Sequence, residues 1–145
     1  MSVSTYSFKD VVATISHPSY GSYSIQGEGV GEILIAKSTE RTATDIAADG
    51  SVMISKVEGN NGIVTIQAQQ TSGLHKFLQG MFNYLVNADS SEWAQISMTV
   101  KSTNMGKTHY CSYGAFQKES DNPYQTQGQK VSWALPFADI QNIAA

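Results

Sequence analysis

Residues 31–69, GEILIAKSTERTATDIAADGSVMISKVEGNNGIVTIQAQ, limit what this chain can fold into more than any other part of it. Two turn signals, Ala48-Asp49-Gly50 and Gly59-Asn60-Asn61-Gly62, divide the stretch into extended runs, which predicts a meander of long strands. Strands are expected over 33–41, 42–47 (continuous with the first or broken from it by a bulge), 51–57 and 63–69. Lys37, Ser38, Thr39, Glu40, Arg41, Thr42, Thr44 and Asp45 follow in near succession, so neither face of that portion has the apolar alternation of a sheet laid on a core. Long strands with open edges aggregate a monomer, whereas in a ring they close edge to edge into a barrel. The stretch therefore predicts an assembly, with its wet surface lining or bordering a solvent-filled space.

The remaining chain reads as mainly β with one flanking helix. Residues 11–16 form a β-branched strand ended by His17-Pro18. Residues 19–31 are a glycine-rich excursion around a short SYSI segment. Within it Gly27-Glu28-Gly29-Val30-Gly31-Glu32 lacks both the Gly-Lys-Ser/Thr ending and the GxGxxG spacing of a phosphate loop, and its carboxylates would repel phosphate, so these are turn glycines. Val64, Ile66 and Ala68 share a core face opposite Thr65, Gln67 and Gln69. Residues 71–86 are the helix: Leu74, Phe77, Leu78, Met81, Phe82 and Leu85 make one apolar stripe that packs on a sheet. Thr71 or Ser72 caps its start, His75 falls on its polar side, and Gly80 implies close approach of a neighbour.

Farther on, Ala94, Ile96, Met98 and Val100 alternate with polar residues. A hairpin turn follows through Asn104-Met105-Gly106, and 109–118 return as an aromatic-rich strand. A polar loop over 119–128 precedes a last strand in which Val131, Trp133, Leu135 and Phe137 share a face. Pro136 argues that this strand lies at an edge, and 139–145 read as a short tail.

The 145 residues suit a single domain, 1–145. Charged residues make up 14 % of the chain, well below the usual share of about a quarter. Ordinary variation and burial of much of the surface in protein contacts explain that equally well. Net charge is −3 and no basic run exceeds one residue, so the footprint that grips nucleic acid is missing. The start MSVSTYSFKD has no secretory-signal pattern and no apolar run approaches the roughly 20 residues of a membrane span, so cytoplasmic synthesis without membrane insertion is expected. Cys111 is the only cysteine.

No constellation for chemistry emerges. His17 precedes a proline in a loop, and His109 shares a strand face with Cys111, half a metal site without a second half. Nothing local marks a base or oxyanion hole for Cys111, and Glu28 with Glu32 sits on glycine-loop backbone that would not hold a carboxylate pair rigidly. No catalytic, cofactor or metal residue is assigned, and the chain reads as no enzyme. Tyr20, Tyr23, Tyr110, Tyr113, Tyr124, Trp93 and Trp133 could serve as stacking platforms of a monomeric β-sandwich carbohydrate-binding module, although Trp133 reads as core from its strand pattern. Aromatics are equally enriched at protein interfaces, which is the preferred reading.

Thr5-Tyr6-Ser7-Phe8-Lys9-Asp10-Val11, the Gly50 turn in Ala48-Asp49-Gly50-Ser51-Val52-Met53, Gly62-Ile63-Val64-Thr65-Ile66, and Gln70-Thr71-Ser72 before the helix carry a resemblance. Together they resemble the tail tube proteins of bacteriophages with contractile tails, over about the first 100 residues and more loosely through the last strands. The resemblance implies an antiparallel β-sandwich or barrel with one flanking helix. Subunits would form a hexameric ring whose strands join one inner barrel, and rings would stack into a hollow conduit for DNA delivery. It also implies a sheath protein outside, a tape-measure protein inside during assembly, DNA passing without specific binding, and a place in the virion tail. A related contractile particle or secretion system would use a similar tube. By analogy 31–57 lie at the lumen wall and 71–86 outside it. A conduit wall rich in Lys and Arg would bind the duplex, so Glu32, Glu40, Asp45, Asp49 and Glu58 are expected to make a mildly negative interior or rim, offset by Lys37, Arg41 and Lys56.

Overall fold

The computed structural model describes residues 2–26 and 29–144. The first β-branched run forms β1 (Val11–His17), and the glycine-rich region after it contains a second strand, β2 (Gly21–Ile25), rather than a free excursion. These two strands pair antiparallel, Ala13 against Ile25 and Ile15 against Tyr23. Only Tyr23 and Ile25 mark β2 as apolar, too short an alternation to stand out among glycines.

β3 (Val30–Lys37) pairs with β6 (Gly62–Gln69), setting Ile33 against Ile66 and Ile35 against Val64. Between them, β4 (Thr42–Ile46) and β5 (Val52–Lys56) form a separate two-stranded ribbon. The expected meander is corrected accordingly: the first run ends at Lys37, residues 42–46 do not continue it, and its partner is the fourth run. Ile33 and Ile35 gain core packing opposite β6, whereas Ser38-Thr39-Glu40 offer nothing to bury and the chain leaves the sheet there.

β7 (Ile96–Ser102), β8 (Lys107–Gly114) and β9 (Lys130–Ala144) complete a seven-stranded antiparallel sheet ordered β2-β1-β7-β8-β9-β6-β3. The β7–β8 turn holds Gly106 at φ 62, where a side chain would be strained. Two expectations about the last strand fail. Residues 139–144 are strand, with Tyr110 opposite Gln141 and Lys107 opposite Ala144, and β9 lies between β6 and β8 instead of at an edge. Pro136 is tolerated because its carbonyl accepts from Ala115 N–H at 3.0 Å, just past the end of β8. A residue's N and O project to the same side of a strand, so the missing N–H faces a place where the regular ladder has stopped.

The sheet curls into a half-barrel. Val11 and Val100 on one side of the curl line the same small cavity as Ile33 and Ile35 on the other. Inside it lies α1 (Gly73–Asn87), with Leu74, Leu78, Met81 and Leu85 buried against Ile66, Met98, Trp133 and Leu135. Each such side chain contributes about 1.5–3 kcal/mol through burial. Of the two candidate caps Ser72 serves, its Oγ accepting from His75 N–H at 3.2 Å. Gly80 marks the close approach expected of it: a Cβ there would fall 2.2 Å from Tyr20 Oη.

Candidate assembly surface

The β4–β5 ribbon is exposed along its whole length. Its register places Thr42 opposite Lys56, Thr44 opposite Ile54 and Ile46 opposite Val52. Directly opposed residues share a face, so one face carries Ile46, Val52 and Ile54 together, at 71 %, 57 % and 70 % exposure. Ala43, Asp45, Met53 and Ser55 make the other. The ribbon is therefore not polar on both faces. The signal was present in the sequence: spacing of two in Thr44, Ile46 and in Val52, Ile54, on either side of one turn, brings the β-branched residues together.

A polar cluster holds the base of the ribbon. Lys37 Nζ donates to the carbonyl of Ile140, and Arg41 donates to Asn60 Oδ1 and, at 3.4 Å, to the carbonyl of Val57. Glu58 lies 3.9 Å from Arg41 and 3.6 Å from Lys56, all three well exposed, so these pairs orient more than they stabilise. At the tip, Asp49 accepts from Ser51 N–H at 3.0 Å, a bond that holds its carboxyl below the usual carboxylate range, and Gly50 turns the chain at φ 90. Four of the five acidic residues singled out above, Glu40, Asp45, Asp49 and Glu58, thus belong to the ribbon or its stem. Glu32 does not: it sits opposite Gln67 at the far end of β3. Glu28 lies outside the described residues.

The sheet's outer face is rich in hydroxyls and amides. Ser16 and Ser97 hydrogen bond at 2.9 Å, Thr14 faces Thr99, and Gln67 lies between Glu32 and Ser132. Both outermost strands of the sheet, β2 and β3, have one side with no partner strand among the described residues.

The histidines and Cys111 are engaged by neighbours within the fold. His17 ends β1 instead of lying in a loop; it is buried, its Nδ1 accepting from Ser19 N–H at 3.1 Å and its Nε2 bonding the Glu92 carbonyl at 2.8 Å. His75 is also buried, not on a polar helix side, because Trp133 on β9 offers it an indole N–H. His109 bonds Asn142 at 2.6 Å. Burial pushes the Cys111 thiol up to about 11, Lys37 partly opposing, which disfavours the nucleophilic thiolate. Among the described residues no cluster of His, Cys, Asp and Glu is arranged to hold a metal ion. Of the aromatics, Tyr20 and Tyr23 pack on Phe77, and Trp93 packs on Phe82. Tyr110, Tyr113 and Tyr124 stay exposed.

A protein-family model described as the tail tube protein of bacteriophage PhiTE matches residues 3–145. Comparison with curated protein sequences finds no match. Among solved structures, a chain of the anti-feeding prophage baseplate superposes with TM-score 0.67 at 11 % identity, covering 99 % of this chain and 98 % of that one. A chain of the sheath-tube complex of PVC, an extracellular contractile injection system, gives 0.62 at 9 %, covering 97 % and 93 %. A chain of the sheath/tube terminator of the same system gives 0.61 at 11 %, covering 98 % and 99 %. At these identities the structural likeness speaks for the fold.

Proposed function

Since the chain belongs to the bacteriophage PhiTE tail tube protein family, we propose that it builds a hollow tail tube of stacked hexameric rings through which DNA is delivered to the host. The observation that carries this is the β4–β5 ribbon, every residue of which is exposed. A two-stranded ribbon with three exposed aliphatic side chains on one face is marginal in water unaided. Sister subunits supply what it lacks. Within a ring, the open sides of β2 and β3 meet the neighbouring copies, and edge pairing around a closed ring leaves no edge of the seven-stranded sheet free.

The bore is lined by the outer face of the curled sheet. Thr14, Ser97, Thr99, Thr65, Gln67 and Ser132 give a wall that hydrogen bonds water, on which Lys101 and Lys130 are the cations. Glu32 adds a negative charge to that wall, while Glu40, Asp45, Asp49 and Glu58 sit at a rim where Lys37, Arg41 and Lys56 offset them. An inner surface dominated by those three bases would remove this assignment. A sheath protein surrounds the tube, a tape-measure protein occupies it during assembly, and the site of action is the virion tail.

Negative-stain electron microscopy of the concentrated protein, alone and co-produced with the other tail proteins, tests the reading. Hollow rings or tubes are expected. Uniform particles of one-subunit size under both conditions would overturn it. The matches to contractile injection systems favour a second reading, a tube that carries protein. Nucleic acid inside the purified particle distinguishes the phage tube from that alternative.

A further inference from the structure

Strand β9 begins with a stretch that is paired along one side only. β6 runs beside it from Lys130 to Phe137. On the other side β8 ends at Gly114, opposite Phe137, and two bonds at 3.0 Å extend it, from Ala115 N–H to the Pro136 carbonyl and from Gln117 N–H to that of Ala134. Ser132 and Lys130, at the same two-residue spacing, turn their N–H and C=O to that side. No backbone group among the described residues meets them there. A slot of about 570 Å³ lies instead between β9 and residues 118–123, with Val131, Ser132 and Pro123 in its walls. Its far wall is tied down: Gln70 donates a side-chain N–H to the Pro123 carbonyl, Gln79 donates to Glu119 at 2.8 Å, and Asn122 donates to the Ser120 carbonyl at 3.2 Å. The slot is a preformed strand position in line with β8.

Residues 2–6, Ser-Val-Ser-Thr-Tyr, have the complementary character. They are exposed, belong to no helix or strand, and make no backbone hydrogen bond among the described residues. None has a charged side chain, and the β-branched Val3 and Thr5 alternate with Ser2 and Ser4, Val3 being 84 % exposed. The geometry points to strand exchange between copies of this chain, in which residues 2–6 of one enter the slot of another and continue the line of β8. Val3 turns in onto Val131 and Pro123, Ser2 and Ser4 lie beside Ser132, and the open backbone groups of Lys130 and Ser132 gain partners. A chain cannot fill its own slot. Tyr6 borders a small cavity with Ile33 and Ile35 of β3. From there β3, β6 and β9 must be crossed, roughly 14 Å at about 4.8 Å per strand, which uses the whole reach of residues 2–5 at about 3.4 Å each. Segment and slot are different surfaces, so each addition leaves one of each free and the contact propagates. This rests on the tube reading above and deepens it, adding a backbone-paired contact separate from the β4–β5 ribbon and from the β2 and β3 edges.

Two measurements test it. Ser132→Cys is combined with Ser4→Cys, and separately with Ser2→Cys, in the full chain carrying Cys111→Ala, and each protein is oxidised under assembly conditions. Paired strands hold facing Cα atoms about 4.5–5.5 Å apart, within the span of a disulfide. A ladder of covalent dimers, trimers and longer species that requires both cysteines is expected from one of the two pairs. In parallel, Val3→Asp, which would bring a charge onto Val131, should raise the concentration needed for tube growth about tenfold or more, while Val3→Ile should leave it unchanged. Because Val3 is exposed, the urea midpoint of the single subunit should stay the same in both variants. Tubes that grow normally from Val3→Asp, with no ladder from either cysteine pair, would overturn the exchange while leaving the tube reading intact. A disulfide closed within one chain would also overturn it, since the segment would then fill its own slot. One-subunit particles from the unsubstituted chain under every condition would overturn both.

Discussion

The indole N–H of Trp133 donates to Nδ1 of His75 across 3.1 Å, joining strand β9 to helix α1 in the buried core. A buried donor deprived of its acceptor costs about 1–3 kcal/mol, more than the bond's net contribution. His75→Phe keeps an aromatic ring beside Trp133 but strands the indole, so it should lower the unfolding free energy by about 1–3 kcal/mol. Urea unfolding of His75→Phe, Trp133→Phe and the double variant gives the coupling directly. A coupling below about 0.5 kcal/mol would mean the two act independently.

How far the sequence could be read is visible in this pair. Trp133 declared itself through the alternation of Val131, Leu135 and Phe137. His75 did not, because helical spacing alone places it beside the apolar stripe and only a polar partner from another strand accounts for its burial. The same limit applies to the sheet. The strands at 11–17, 62–69 and 96–102 and the helix carry strong local periodicity, and all are found. The pairing of β3 with β6 past an intervening ribbon is a long-range choice that no local window contains. Pro136 misled because the rule that places proline at sheet edges assumes an intact ladder, and here the ladder has ended. For the assembly surface, the turn at Gly50 was legible, while the apolar face of the ribbon required the register that the turn imposes.

Gly80 and Tyr20 should be energetically coupled. Alanine in place of a helical glycine ordinarily gains about 1 kcal/mol, but the added Cβ would lie 2.2 Å from Tyr20 Oη. Gly80→Ala should therefore stabilise the chain little or destabilise it, whereas Gly80→Ala in a Tyr20→Phe background should recover most of the gain. Thermal unfolding of the four variants checks this. Equal effects of Gly80→Ala in both backgrounds would contradict the contact.

Cys111 should make folding sensitive to alkali. Its thiol ordinarily titrates at 9.0 and burial raises it to about 11 in the folded chain. Between these values the unfolded chain has released a proton that the folded chain keeps, so stability falls as pH rises. The contribution is fully present below pH 9.0 and is lost by about pH 11, amounting to something of the order of 2 kcal/mol. Cys111→Ala leaves a cavity whose cost does not depend on pH. Its stability relative to the parent should therefore improve from pH 8.5 to 10.5 in urea titrations, and a constant difference across that range would refute the assignment.

Tyr113 is the one non-glycine residue with positive φ among the described residues, at 57°. It stands where two strands change sides together. Cys111 and Gly114 both face the core although three residues apart, and so do their partners Ile140 and Phe137. An odd spacing breaks the two-residue repeat of a strand, and the pairing skips Tyr113 and Ala138 where it happens. Gly114 completes the arrangement, since a Cβ there would lie 2.3 Å from Phe137 Cε1. The backbone at Tyr113 is thus imposed by packing on both sides, while its side chain, 67 % exposed, contributes little burial. Tyr113→Gly should raise the unfolding free energy by about 1 kcal/mol by relieving the left-handed conformation. Tyr113→Val, β-branched at the same backbone angles, should lower it by about 1–3 kcal/mol. Urea midpoints that move together in the two variants would show that the strain is not at this residue. A midpoint gained by glycine and lost by valine would place the cost of the double side change on a single backbone position.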